Sequence, residues 1–414
     1  MAMTETKVEK ERVILLGVAL QTSENFDMSM KELASLAETA GAEVVNTYTQ
    51  NREKYDSKTF IGSGKLAELK EIVEAEDIDT VIVNNRLTAR QNSNLEAELE
   101  VKVIDRMQLI LDIFAMRARS HEGKLQVHLA QLKYMLPRLV GQGIMLSRQA
   151  GGIGSRGPGE SQLELNRRSI RNQITDIEKQ LAVVEKNRQT IRDKRIGSET
   201  FKIGLIGYTN AGKSTIMNVL TDDGQYEANE LFATLDATTK QIYLQNQFQV
   251  TLTDTVGFIQ DLPTELVAAF KSTLEESRHV DLLLHVIDAS DPDHTEHEKV
   301  VLDILKDLDM LSIPRLAIYN KMDIADGLTA TAFPNVRLSA RDKGSRQMLR
   351  NLIIDQIRDS FEPFSIKVHQ DKAYKLYALN KVALLDNYTF DQEVEDISGF
   401  IASKNKWRLD DLYD

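Results

Sequence analysis

The segment Gly207-Tyr208-Thr209-Asn210-Ala211-Gly212-Lys213-Ser214 has the residue types and spacing that point most directly to chemistry. Glycines at both ends let the backbone N–H groups turn inward, and such converging donors cradle phosphate oxygens. Lys213 is spaced to reach the β- and γ-phosphates, and Ser214, followed by Thr215, to ligate Mg²⁺. The chemistry implied is binding of a nucleoside triphosphate and transfer of its γ-phosphoryl group to water. A loop of this kind works only between a strand and a helix. Apolar Phe201–Ile206 precedes it and helical Ser214–Leu220 follows.

Three further motifs follow in order. Asp254-Thr255-Val256-Gly257 ends an apolar run. Asp254 is expected behind the Mg²⁺ through a water, and the Gly257 N–H facing the γ-phosphate. Asn320-Lys321-Met322-Asp323 ends another apolar run. Its terminal carboxylate accepts from guanine N1–H and the exocyclic amine, a donor pair that adenine does not present. Leu338-Ser339-Ala340 then offers a backbone N–H to guanine O6. Taken singly, Asp-x-x-Gly and Ser-Ala are weak signals. Four ordered motifs, each at the end of a predicted strand, define a GTP site.

The stretch between the first two motifs, Leu231-Phe232-Ala233-Thr234-Leu235-Asp236-Ala237-Thr238-Thr239, supplies threonines to sense the γ-phosphate through Mg²⁺. Thr234 is the first choice, with Thr238 and Thr239 as alternatives. The expected metal set is Ser214, Thr234 and Asp254, and the expected catalytic set Lys213, Thr234 and Gly257. Phe258 occupies the place where many GTPases carry a glutamine that orients the attacking water. Phenylalanine has no hydrogen-bonding group, so slow intrinsic hydrolysis is expected. The Asn210 amide oxygen is a candidate ligand for K⁺ near the phosphates; a plain turn residue is the equal alternative. Gly62-Ser63-Gly64-Lys65 resembles half a phosphate loop, but Leu66 follows the lysine and Thr59 replaces the first glycine, so it reads as a helix start.

These motifs require α/β elements. Strand candidates at 201–206, 249–254, 282–288, 315–320 and 336–338 alternate with helical stretches, predicting a mostly parallel sheet flanked by helices. A similar alternation over 13–118 predicts an N-terminal α/β domain. Leu125, Leu129, Leu132, Leu136 and Leu139 share a 4-3-4-3 spacing with Ile170, Ile174, Ile177, Leu181 and Val184, predicting a helical hairpin. Pro137 is expected to break its first helix. The glycine-rich 141–159 is expected to form a flexible tip bearing Arg148 and Arg156. The last fifty residues read as a small C-terminal domain. The implied domains are 1–118, 119–199 with a tip loop at 141–160, 200–364 and 365–414.

Of the 414 residues, none is cysteine, which excludes disulfides and thiolate metal sites. The seven histidines form no metal-spaced cluster. The polar N-terminus and the lack of a long apolar run predict a cytoplasmic chain with no transmembrane segment. Net charge is −12, yet the window from Arg117 to Arg195 carries 16 Lys/Arg against 7 Asp/Glu, a local +9. A basic hairpin on an acidic protein is a docking surface for RNA phosphates or simply a solvated helical face.

Gly151-Gly152-Ile153-Gly154-Ser155-Arg156-Gly157-Pro158-Gly159-Glu160-Ser161-Gln162-Leu163-Glu164 with Arg167-Arg168 resembles the signature of the HflX family of bacterial translational GTPases. The segments 122–132, 232–236 and 254–258 match the family's pattern too, with His128 and Ser161 departing from its usual Glu and Thr. The resemblance implies a monomeric GTPase that binds the large (50S) ribosomal subunit and its rRNA in the GTP state. It implies splitting or rescue of stalled or idle ribosomes, notably after heat or antibiotic stress, with hydrolysis stimulated by the subunits. In the family, the N-terminal domain and hairpin approach the peptidyl-transferase centre, and some members also bind ATP through the N-terminal region. No adenine-specific motif stands out here. A switch that binds a protein effector would leave the basic hairpin unexplained, and Asn320 with Asp323 argues against an RNA-remodelling ATPase.

Overall fold

The computed structural model describes residues 10–23, 25–149, 158–195, 200–221, 231–232, 238–245, 248–254, 257–260, 278–369, 376–391, 394–410 and 412. Of these, 140–149, 158–163, 188–195, 369, 387–391 and 394–395 are described by backbone alone. They fall into two compact units. The first is Met1–Val184 with Glu230–Phe232 and Asp261–Phe270; the second is Glu185–Asn229, Ala233–Gln260 and Lys271–Asp414.

The first unit opens on β1 (Arg12–Leu20), α1 (Phe26–Thr39), β2 (Glu43–Arg52), α2 (Ser63–Ala75), β3 (Thr80–Val83), α3 (Ala89–Leu99), β4 (Lys102–Asp105) and α4 (Arg106–Arg117). Its sheet is parallel, in the order β2-β1-β3-β4. Because helices cover it, the central strands are continuous apolar runs: all four residues of β3 are buried. Gly62 is the N-cap of α2, so the Gly62–Lys65 segment is a helix start. One buried carboxylate organises the end of β4. Asp105 caps α4 through Gln108 N–H at 3.0 Å and accepts Leu87 N–H at 3.1 Å. It also accepts the Tyr134 hydroxyl at 2.6 Å and Arg138 Nη2 at 2.7 Å. Burial and that negative charge push the Tyr134 hydroxyl pKa up, so it stays a donor.

Tyr134 and Arg138 belong to α5 (His121–Gln149), which packs on α3 and α4, and α6 (Pro158–Arg195) follows. Ile170, Ile174, Ile177, Leu181 and Val184 are the inward stripe of α6; residues between them are exposed. Lys133 and Glu178 pair across the two helices at 2.9 Å. Two expectations differ from the structure. Pro137 does not end α5, and the backbone from 141 to Gln149 is helical rather than loop. A proline removes one hydrogen bond and a helical glycine costs about 1 kcal/mol. Both penalties fall beside the Asp105 anchors, which hold the helix on either side of Pro137. Arg148 and Arg156, the expected tip cations, lie outside the described side chains.

The second unit carries a six-stranded sheet in the order β10-β9-β8-β5-β7-β6. Its strands are β5 (Phe201–Gly207), β6 (Thr238–Tyr243), β7 (Gln249–Asp254), β8 (Leu282–Asp288), β9 (Arg315–Asn320) and β10 (Asn335–Arg337). All neighbours are parallel except β6, which runs antiparallel to β7 at the edge. Sequence reading missed β6 because Ile242 is its only buried residue. The helices α7 (Lys213–Thr221), α8 (His294–Asp307) and α9 (Ser345–Ser360) accompany the sheet. An antiparallel sheet, β11-β13-β12, follows, built from β11 (Glu362–His369), β12 (Ala383–Asp391) and β13 (Val394–Ile401). Leu376, Leu379, Leu409 and Leu412 cover it, with Ile366, Val368 and Ile397 in the same small core.

Candidate nucleotide site

The site lies at the C-terminal end of β5, where connections leave the sheet in opposite directions, the place ligands occupy in open α/β sheets. Gly207 closes the strand against β8: a Cβ there would stand 2.2 Å from Val286 O. Tyr208, Thr209 and Asn210 turn the chain, and Gly212 at φ +98° leads into α7. Lys213 Nζ donates to Gly207 O at 3.1 Å and Tyr208 O at 2.8 Å, so its ammonium closes the loop on itself. Burial pulls its pKa down to about 8, with Asp254 opposing the shift. Thr209 Oγ1 is buried with no hydrogen-bond partner among the described residues, a polar atom that fits a phosphate-binding cradle.

Ser214 Oγ donates to Asp254 Oδ2 at 2.9 Å. A hydroxyl and a carboxylate brought together beside the loop are hard oxygen donors suited to Mg²⁺. When bound there, the ion would neutralise charge on the β- and γ-phosphate oxygens. Thr239 is committed elsewhere: its hydroxyl bonds Thr253 Oγ1 at 3.0 Å across the β6–β7 pair. Thr238 faces Asp254 in the same ladder. Ala233, Thr234, Leu235, Asp236, Thr255 and Val256 lie outside the described residues. Phe232 is buried in the first unit, edge-on to Phe114 with ring centroids 4.5 Å apart.

The base-recognition motif is tied directly to the phosphate loop. Asn320 is buried, donates from Nδ2 to Ala211 O at 3.0 Å and accepts Ala340 N–H on Oδ1 at 2.9 Å. It therefore holds three segments together; of the Ser339-Ala340 backbone, where an N–H for guanine O6 was expected, the Ala340 N–H is engaged by Asn320. Lys321 takes φ +61° and pairs with Asp288 at 2.6 Å. Met322 N–H bonds Leu338 O at 3.3 Å, and Ser339 is buried. Asp323 is exposed, its carboxylate presented to solvent. Sequence reading missed Asp288; an acid at the end of an otherwise apolar strand was the available signal.

Gly257 and Phe258 lie on the loop itself. Thr209 N–H bonds Phe258 O at 2.8 Å, and Phe258 N–H bonds Gly207 O at 3.2 Å. A Cβ at Gly257 would stand 2.9 Å from Thr209 Cα, so only glycine fits this approach. The Phe258 side chain is buried and brings no polar group to the loop.

A proton follows the nucleotide. Phosphates restore the charged form of Lys213, so above pH 8 binding must take up a proton and affinity falls as pH rises. Calorimetric titration of GDP at pH 8.5, in two buffers of different ionisation enthalpy, is expected to show net uptake of roughly half a proton or more. Release, or no change, refutes the assignment of this ammonium to the phosphates.

The fold and the joined motifs define a P-loop GTPase. Three family models cover most of the chain: a GTP-binding GTPase N-terminal region at 27–115, a GTP-binding GTPase middle region at 117–195, and a 50S ribosome-binding GTPase domain at 202–321. The GTPase HflX of Alkalihalophilus pseudofirmus is 48% identical over 391 residues, 93% of this chain and 92% of that protein. The GTPase HflX of Caldanaerobacter subterraneus is 45% identical over 98% of this chain and 95% of its own length. The Escherichia coli GTPase HflX is 45% identical over 76% and 74%. A solved GTP-binding protein from Sulfolobus solfataricus in complex with GDP covers 83% of this chain and 98% of its own, at 26% identity and a TM-score of 0.47. The chain belongs to the HflX family of GTPases: it binds GTP and hydrolyses it to GDP and phosphate.

Proposed function

We propose that the chain couples its GTP cycle to the large ribosomal subunit, docking through rRNA in the GTP state and splitting or rescuing stalled or idle ribosomes. The observation that carries this is Phe258. It stands where a water-orienting glutamine would be, and its side chain is buried, so the site needs a group from a partner. The domain that holds it matches a family described as 50S ribosome-binding GTPases, and the hairpin window supplies a net +9. The four-domain division at 118, 199 and 364 fits that use, with the hairpin as the part that reaches RNA. In this reading the chain is a monomer that works on ribosomes in the cytoplasm. Among the described residues no helix is long and apolar enough to cross a membrane.

Within the site, Thr234 completes the Mg²⁺ set with Ser214 and Asp254. Lys213, Thr234 and the Gly257 N–H stabilise the γ-phosphate as it departs. In this reading Asn210, exposed at φ +59°, gives its amide oxygen to K⁺. Turnover in KCl exceeding that in NaCl by several-fold is the expected sign; equal rates leave Asn210 a turn residue.

Sedimentation with ribosomal subunits in GTP, GDP or a non-hydrolysable analogue tests the main reading. Association with the large subunit is expected in the triphosphate states and lost in GDP. Turnover alone is expected below about 10⁻² s⁻¹ and at least tenfold faster with large subunits. No association in any state, or a fast isolated enzyme, overturns it.

A further inference from the structure

The phosphate loop makes one contact that cradling phosphates does not require. Tyr208, its second residue, is buried and stacks on the His297 imidazole, with ring centroids 3.8 Å apart and planes 15° from parallel. His297, on α8, is held in turn by Asp291, Nδ1 to Oδ2 at 3.2 Å. The Tyr208 hydroxyl oxygen accepts the Gln260 N–H at 2.7 Å. The phenol therefore reaches from the loop to the third residue past Gly257. It adds a side-chain bond to the two backbone bonds that already join Phe258 to Gly207 and Thr209.

That junction stands where a triphosphate must be admitted. Thr209 N–H is spent on Phe258 O, which ties the loop to the segment after Gly257. A Cβ at Gly257 would meet Lys213 Nζ at 3.0 Å, so the Gly257 backbone lies against the ammonium that the β- and γ-phosphates need. A γ-phosphate seated on Lys213 would require the Gly257 backbone to draw back from the ammonium before its N–H could face the phosphate; a diphosphate carries no such group.

We propose that Tyr208 is a positioning residue for the switch that follows Asp254. Its hydroxyl latches the 257–260 segment onto the phosphate loop and thereby sets the preference between GDP and GTP. The stack on His297 fixes the angle of the phenol, so the hydroxyl cannot follow Gln260 when the segment leaves. Opening therefore loses the bond outright, and the loss falls on the triphosphate alone. The proposal rests on 207–214 being the phosphate site and is independent of any ribosomal partner.

Tyr208→Phe keeps the ring and its stack and removes the hydroxyl that accepts Gln260 N–H. Equilibrium titration of the full chain with fluorescent GDP and a fluorescent non-hydrolysable GTP analogue reads the effect. The ratio of analogue affinity to GDP affinity is expected to rise about three- to tenfold, as loss of one hydrogen bond from the closed state predicts. His297→Ala frees the phenol and is expected to shift the same ratio in the same direction. A merely structural tyrosine would change both affinities by one factor. A ratio unchanged by Tyr208→Phe, in a protein that binds both nucleotides, overturns the latch alone. Failure of the unmodified protein to bind either nucleotide overturns the site assignment and the latch with it.

Discussion

Asp323→Asn is expected to lower affinity for GDP by about 100-fold or more and to raise affinity for xanthine nucleotides by a comparable factor. The carboxylate is acceptor-only and meets two guanine donors, N1–H and the 2-amino group. Hydrogen bonds to a charged group are worth about 1.5–3 kcal/mol each. The amide keeps one acceptor and turns a donor toward the other guanine donor. Xanthine carries an oxygen at that position and accepts it. Because Asp323 is exposed while Asn320 beneath it is buried and bonded, the change leaves the packing intact. Thermal unfolding of the nucleotide-free protein should therefore be unchanged. Competition between GDP and XDP on the variant reads the switch. GDP retained within threefold of the original affinity refutes the assignment of Asp323 to the base.

Gly212→Ala is expected to remove measurable nucleotide binding at micromolar GDP and to cost about 3–5 kcal/mol of stability. The methyl would stand 2.2 Å from Asn320 Nδ2, at a backbone φ of +98° that side-chain-bearing residues avoid. The strained backbone costs about 1–3 kcal/mol. Displacing Asn320 breaks its bonds to Ala211 O and Ala340 N–H and leaves a buried amide unsatisfied, about 1–3 kcal/mol more. Urea unfolding of Gly212→Ala, Asn320→Ala and the double variant separates the two causes. The double variant should be less destabilised than the sum by at least about 1 kcal/mol, because truncated Asn320 no longer collides with the methyl. Strict additivity would mean that the collision is relieved some other way.

Much of this site was legible in the sequence because phosphate and guanine recognition constrain residue types at fixed spacing. Asp254 and Asn320 end β7 and β9, Lys213 and Ser214 open α7, and Asp323 lies just past β9; the Ser214–Asp254 and Asn320–Ala211 contacts join motifs 40 and 109 residues apart. What escaped were features decided by tertiary partners. The strand β6 is half-solvated at a sheet edge, so its residues show no apolar alternation. Pro137 and the glycines after it are helix-unfavourable locally, and tertiary partners, among them the bonds from Tyr134 and Arg138 to Asp105, hold α5 there. The His297–Tyr208 stack joins residues 89 positions apart with no motif to announce it. The engaged Ala340 N–H was likewise invisible, since it depends on which way the Asn320 amide is turned.

The Asp105 cluster also has a mechanical consequence. A helix rises 1.5 Å per residue, so the 11 residues of α5 from Arg138 to Gln149 extend about 17 Å past the last side chain bonded to that carboxylate. Such an arm has its fulcrum in the sheet of its own unit rather than in a hinge loop. At its base that same buried carboxylate also bonds Leu87 N–H and caps α4 through Gln108 N–H, so the arm is rooted in three segments at once.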